Sequence, residues 1–233
     1  MLRPTIFEPG ITQIAGKGCD GGVWLVFEIR VVELTAEHRD QAAHVLAAAF
    51  RREASVLHAF NLASGRHERA YVRAVALWVE NRLRAGRPLF GAVLGGRVVG
   101  VAGVSGVGGT PTGWSVRQLF HILPGPLGLL PAVRVRPALA LLRASRRPPG
   151  IPPRPHMVEM IGVLPELQGR GIGRRLLAHV HELCDSDQGA SGVYLFTVGE
   201  RNRGFYERQG YRTVHVAHAA GLEVYHMFRH RSE

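Results

Sequence analysis

The sequence predicts an α/β (α+β) fold, one domain in which strands and amphipathic helices alternate around a shared core. Three observations predict it. Helix-period and strand-period segments succeed one another from Val23 onward, with no internal repeat or low-complexity tract. A Gly95-Gly96 pair separates two apolar runs, which signals a hairpin and therefore antiparallel strands. An apolar run, Met157 to Leu164, leads through a turn rich in glycine and arginine into a helical pattern.

The elements follow in order. Residues 1–22 are rich in Gly and Pro without a steady period and read as a loose N-terminal arm, with the domain spanning 23–233. Val23 to Leu34 reads as a strand with Phe27, Ile29 and Val31 on one face. Thr35 is an N-cap candidate, and the helix after it carries a stripe of Ala42, Val45, Leu46, Ala49 and Phe50. A second helix buries Tyr71, Ala74, Val75 and Trp78 and ends near Gly86. Leu89 to Leu94 and Arg97 to Ser105 form the hairpin. Residues 106–150 carry many Gly and Pro and a basic end at Arg143, Arg146 and Arg147, and read as an irregular or helical insertion. The last third is strand Met157–Val163, helix Gly171–Cys184, strand Gly192–Val198, helix Arg201–Gln209, then strands Tyr211–Ala217 and Leu222–Arg229.

The totals narrow the function. In 233 residues, 46% are hydrophobic and 20% charged, a globular balance rather than a disordered or membrane-spanning one. No window approaches the roughly 20 uninterrupted apolar residues of a membrane helix, since His121, Arg134, Arg136 and several Pro and Gly interrupt Leu119 to Leu142. Pro4, Glu8, Pro9 and Gly10 break up the N-terminus as a signal peptide. Two distant cysteines, Cys19 and Cys184, make no disulfide framework, so a cytoplasmic location is expected. The net charge of +11, carried mostly by Arg, suits phosphates, carboxylates or nucleic acid. The arginines are scattered and no nucleic-acid motif accompanies them, so no specific nucleic-acid partner is expected.

The stretch Gln168-Gly169-Arg170-Gly171-Ile172-Gly173, followed by Arg174 and Arg175, has the ingredients of an anion cradle. Glycines let backbone N–H groups approach a phosphate, and the new helix adds unpaired N–H groups and its positive dipole end. The spacing is neither the dinucleotide fingerprint nor a P-loop. A second constellation follows: Asn202-Arg203-Gly204-Phe205-Tyr206-Glu207-Arg208-Gln209-Gly210-Tyr211.

Together the two segments resemble the GCN5-related N-acetyltransferase (GNAT) superfamily. Gln168, Gly171 and Gly173 match its [QR]-x-x-G-x-[GA] signature, and Val163-Leu164-Pro165 matches the lead-in. Asn202, Phe205, Tyr206, Gly210 and Tyr211 match the companion N-x-x-F-Y-x-x-x-G-[FY]. The resemblance is specific from about Arg154 to Val216 and rests on element order from Val23 to Ser105. It implies a mixed, mostly antiparallel sheet of about seven strands, flanked by helices and splayed between the fourth and fifth.

The resemblance also implies acetyl-CoA as acyl donor, with no metal, and a small-molecule or peptide amine as acceptor. The CoA pyrophosphate would sit on the backbone of Gln168, Gly169, Arg170, Gly171, Ile172, Gly173 and Arg174. Pantetheine would pair with backbone near Ile161 and Val163, beside Asn202 and Tyr206. Tyr206 would be the general acid that protonates the leaving thiolate. Transfer would be direct, in a ternary complex, and a homodimer is compatible with the family. A non-catalytic acyl-CoA sensor or docking module is the alternative.

For the base, Glu159 stands in an otherwise apolar strand, where alternation places it opposite Val158 and Met160. An unpaired carboxylate is costly to bury, so it is expected to face the cleft or an arginine. His156 is a second candidate, with a structural or solvent-exposed role as its other reading. His215, His218, His226 and His230 lack a cysteine or carboxylate cluster and read as solvated strand and turn residues rather than metal ligands.

Overall fold

The computed structural model describes residues 13–14, 27–106 and 132–232. Most of the N-terminal arm, Cys19 and residues 107–131 of the insertion lie outside the described residues. Seven strands form one sheet. They are β1 (Arg30–Glu33), β2 (Leu89–Leu94), β3 (Arg97–Ser105), β4 (His156–Val163), β5 (Gly192–Val198), β6 (Arg212–Ala219) and β7 (Leu222–His230). The helices are α1 (Arg39–Phe50), α2 (Ala54–Ala59), α3 (Gly65–Arg84), α4 (Val135–Ala144), α5 (Ile172–Ser186) and α6 (Glu200–Glu207). Gln13–Ile14 pairs separately with Phe27–Glu28. The predicted strand from Val23 is thus two short pieces in its described part, and α2 is an element the sequence pattern did not announce.

The sheet order is β1-β2-β3-β4-β5-β7-β6, antiparallel except for the parallel pair β4–β5. That pair is short. Only His156↔Val193 and Met157↔Tyr194 are in register, and the strands then diverge to Val163 and Val198. The sheet is therefore mixed and splayed between its fourth and fifth strands, as the resemblance implied.

Helices cover both faces. Val45 and Leu46 of α1 pack with Val75, Trp78 and Val79 of α3 against Val98 and Val101. On the other face, Ile172, Leu176, Leu177, Val180 and Cys184 form one stripe of α5 against Val99, Ala102 and Val104. Sheet glycines let the helices come close. A Cβ on Gly162 would lie 2.8 Å from Ala49 Cβ of α1, and one on Gly100 would lie 3.0 Å from both Ile172 and Leu176 side chains.

Local signals explain the ends. Gly95 and Gly96 both take positive φ (55° and 77°), the hairpin geometry that fits twisted strands. Ser64 Oγ accepts from His67 N at 3.3 Å and caps α3. Thr35 opens a 3-10 turn, Ala36–His38, that leads into α1.

The histidines divide into two groups. His215 and His218 are exposed. His226 is fully buried, which corrects its reading as a solvated residue. Its Nε2–H donates to Ala144 O at 2.8 Å, so Nδ1 accepts from Tyr194 OH at 2.7 Å, and the pair ties the end of α4 to the sheet. His156 is also buried and bonds through Nε2 to Asp187 Oδ2 at 2.8 Å, a structural link between β4 and the end of α5.

His181 on α5 contacts Tyr211 OH through Nε2 at 3.0 Å. Burial, helped by Arg229, pushes its imidazole down to about 4 from 6.5. The unfolded chain takes up this proton near pH 6.5 and the folded chain only near pH 4. Stability held above pH 6.5 is therefore lost as pH falls across that window. The variant His181→Gln should show a shallower dependence of unfolding free energy on pH there, by up to about one proton. Urea melts at a series of pH values read this, and an unchanged slope contradicts it.

Candidate active site

The divergence of β4 from β5 opens a cleft of about 840 Å³. One wall is Val158 to Val163 of β4, and the other is Leu195 to Val198 of β5. The turn Leu167 to Arg174, the first turns of α6 and the α1–α2 corner at Ala49, Phe50, Glu53 and Ser55 complete it. Glu159, Ile161, Val163, Gln168 through Arg174, Asn202 and Tyr206 all line this one cleft, whereas His156, the second base candidate, does not.

The turn is built as a donor surface. Gly169 and Gly171 both adopt φ of +79°, in the left-handed region that favours glycine. Gln168 Nε2 donates to Val163 O at 3.1 Å and fastens the turn to the end of β4. The next amide to find a backbone acceptor is Arg175 N, on Gly171 O at 3.1 Å. Among the described residues, the amides from Gly169 to Arg174 have no such partner. A Cβ on Gly169 would meet nothing within 4 Å, so the space over the turn is open. Arg170 and Arg174 are exposed beside it, and Arg201 of α6 and Arg208 just after the helix add charge to the rim. Open space, unpartnered N–H groups and four guanidinium groups make a donor set suited to a phosphate-bearing anion.

Tyr206 is buried on α6 and packs edge-on against Phe205 and Tyr211, with ring centroids 5.2 and 5.7 Å away. Its hydroxyl has no hydrogen-bond partner among the described residues. Burial raises the phenol above its ordinary value, and the charge of Glu53 adds to the rise. The phenol therefore stays protonated at neutral pH. Asn202 Nδ2 donates to Val198 O at 3.1 Å and reaches Glu53 Oε2 at 3.4 Å, bridging β5 to the α1–α2 corner.

Glu159 sits at a bulge. Gly103 pairs with Met160 and Val104 with Val158, which leaves Glu159 without an opposing residue. Alternation breaks there. Val158 joins the α5 face, whereas Met160 packs among the α1 and α3 residues and Glu159 reaches Arg82 of α3. Glu159 thus lies opposite Val158 but not opposite Met160. Its Oε2 meets Arg82 Nη1 at 2.7 Å, with the two side chains 6% and 3% exposed. Arg82 also donates to Pro88 O at 3.1 Å and to Val104 O. Burial pushes the Glu159 carboxyl above its ordinary value, against the opposing pull of Arg82 and Arg87. A Cβ on Gly103 would lie 2.7 Å from Trp78 and 3.1 Å from Arg82 Nε, so glycine there makes room for the arginine to cross the sheet.

Cys184 is buried, and burial pushes its thiol up to about 11, so it is a packed neutral group. Among the described residues, no group of His, Cys, Asp and Glu is placed to hold a metal ion. No helix among them is long and apolar enough to cross a membrane.

Two residues at the site escaped the sequence reading, Arg82 and Glu53. Arg82 had a signal: it continues the Tyr71, Val75, Trp78 stripe of α3, where a charge implies a buried partner. Glu53 had none, because it lies in a short polar link without period.

The comparisons agree with this architecture. Residues 143–213, from the end of α4 into β6, match the family model of the acetyltransferase (GNAT) domain. The chain carries a GNAT fold. A solved structure from Corynebacterium glutamicum, named histone acetyltransferase HPA2 and related acetyltransferase, superposes with a TM-score of 0.63. It is 17% identical over 88% of this chain and 97% of its own. An acetyltransferase of the GNAT family from Desulfovibrio desulfuricans gives 0.53 at 16% identity, covering 88% of this chain and 99% of its own. A GCN5-related N-acetyltransferase from Rhodopseudomonas palustris gives 0.50 at 16%, covering 87% and 95%. No curated protein sequence matches the chain.

Proposed function

We propose that this GNAT-fold chain is an acetyl-CoA-dependent N-acyltransferase that moves an acetyl group to a primary amine by direct attack in a ternary complex. The observation that carries the proposal is the placement of the turn and the phenol. The unpartnered amides of Gly169 to Arg174 and the Tyr206 hydroxyl share one cleft at the β4–β5 splay. Acetyl-CoA, when bound, supplies an acyl thioester for the amine to attack.

The chain's own groups would do the rest. The amides of the turn, with Arg170 and Arg174, hold the pyrophosphate. Backbone around Ile161 and Val163, released from β5 by the splay, pairs with the amide-bearing arm as an added strand would. A β4 amide polarises the carbonyl. Tyr206 gives its proton to the departing sulfur. Its raised pKa does not forbid this, since the same desolvation raises the thiolate's demand for a proton. Glu159 enters as the carboxylate that holds the strand bulge, because Arg82 already occupies it. A role for Glu159 as base would require release from Arg82.

Calorimetric titration tests the reading. CoA and acetyl-CoA should bind with one-to-one stoichiometry, and affinity should fall with rising salt because phosphates are the main contact. Absence of binding to folded protein contradicts it.

A further inference from the structure

Among the described residues, four arginines, Arg170, Arg174, Arg201 and Arg208, line the cleft, and only two carboxylates do, Glu53 and Glu159. Arg82 neutralises Glu159 in a closed ion pair. Glu53 forms no salt bridge among the described residues. It is half-buried at the N-cap of α2, where its side chain makes no capping bond to the helix. Among the described residues, its side chain accepts one hydrogen bond, from Asn202 Nδ2 at 3.4 Å, which is long and leaves most of its acceptor capacity unused. Its charge is nevertheless felt at two phenols, Tyr206 and Tyr71.

A cleft carboxylate without an ion-pair partner among the described residues lacks its counter-charge. Resting on the acyltransferase reading above, we infer that Glu53 receives the acceptor's nitrogen and that the acceptor is a cationic aliphatic amine. Three geometric facts support the assignment. Asn202 donates to Val198 O at 3.1 Å and reaches Glu53 at 3.4 Å, so it places the Glu53 corner beside β5. Glu53 lines the same cleft as the Tyr206 hydroxyl. The arginines are suited to the polyanionic donor, which leaves the α1–α2 corner for the second substrate. An ammonium there would meet one unit of opposite charge. Transfer of one proton from nitrogen to a Glu53 oxygen then leaves a neutral amine with its lone pair free and a neutral carboxyl. An arylamine bearing its own carboxylate would be repelled at that corner.

The test measures CoA thiol release with acetyl-CoA and three acceptors: cadaverine, Nα-acetyl-lysine amide and 4-aminobenzoate. The cationic pair should be consumed in preference to 4-aminobenzoate. Glu53→Gln should raise KM for the cationic amines by about tenfold or more, the effect of losing a charge-assisted hydrogen bond, and should lower kcat as well, because an amide cannot take the proton. Its CoA affinity and thermal midpoint should match the wild type, and Glu53→Asp should recover part of the loss. The inference is overturned by an unchanged amine KM in Glu53→Gln or by preference for 4-aminobenzoate. It is equally overturned if the wild type binds CoA yet consumes neither cationic amine. Failure of the wild type to bind CoA at all removes the acyltransferase reading, and the inference with it.

Discussion

Replacing Tyr206 by Phe should lower kcat for acetyl transfer by about 10²- to 10⁴-fold, the range expected for loss of a general acid. The change removes one oxygen and keeps the ring. The edge-on contacts with Phe205 and Tyr211 therefore survive, and folding should be nearly unaffected. Among the described residues the hydroxyl has no partner to strand, so its removal leaves no buried group there unsatisfied. CoA should bind the variant as it binds the wild type, because the turn at Gly169 to Arg174 is untouched. Single-turnover kinetics with calorimetry separate the two effects. A rate equal to wild type at every pH removes Tyr206 from the chemistry. CoA binding with no turnover in either protein supports the sensor alternative instead.

The second large effect concerns stability. Arg82→Met should destabilise the fold by about 3–5 kcal/mol, the usual cost of leaving a buried charge without its partner. Glu159 is 6% exposed and would lose its 2.7 Å contact, while Val104 O and Pro88 O would lose a donor. The deficit should depend on pH with a definite sign. The folded-state pKa of Glu159 is already raised, and losing Arg82 raises it further. The penalty is then full above that raised value, where the carboxyl must ionise. It shrinks as pH falls and this component is gone below the unfolded value near 4.5. Pairing Arg82→Met with Glu159→Leu should recover much of the loss, since an apolar pair can replace an ionic one. Urea denaturation of the three variants at several pH values decides the matter. A double variant no more stable than Arg82→Met means the bulge needs the charges themselves.

Much of this fold was legible because its signals are local. The Gly95-Gly96 turn, the α5 stripe from Ile172 to Cys184 and the strand Gly192–Val198 need only neighbours in sequence to be read. Gln168 to Gly173 of one motif and Asn202, Phe205 and Tyr206 of the other also share one cleft, although more than 30 positions separate Gly171 from Tyr206. What stayed hidden depends on partners far apart in the chain. His226 reads as a solvated strand histidine until Ala144 and Tyr194 are seen against it. The bulge at Glu159 leaves the strand's apolar pattern almost intact, so only the β3 register reveals it. Glu53 became significant through Asn202 and through its place on the cleft wall, neither of which the surrounding residues encode.

The turn from Gly169 to Arg174 and the splayed edge of β4 are together the proposed CoA site. Amide-resolved NMR during a CoA titration tests it most directly. The backbone N–H signals of Gly169 to Arg174, Ile161 and Val163 should shift saturably and together, with those of β1 and β6 unmoved. Saturating CoA that leaves the turn amides in place, or that moves a different surface, contradicts the claim.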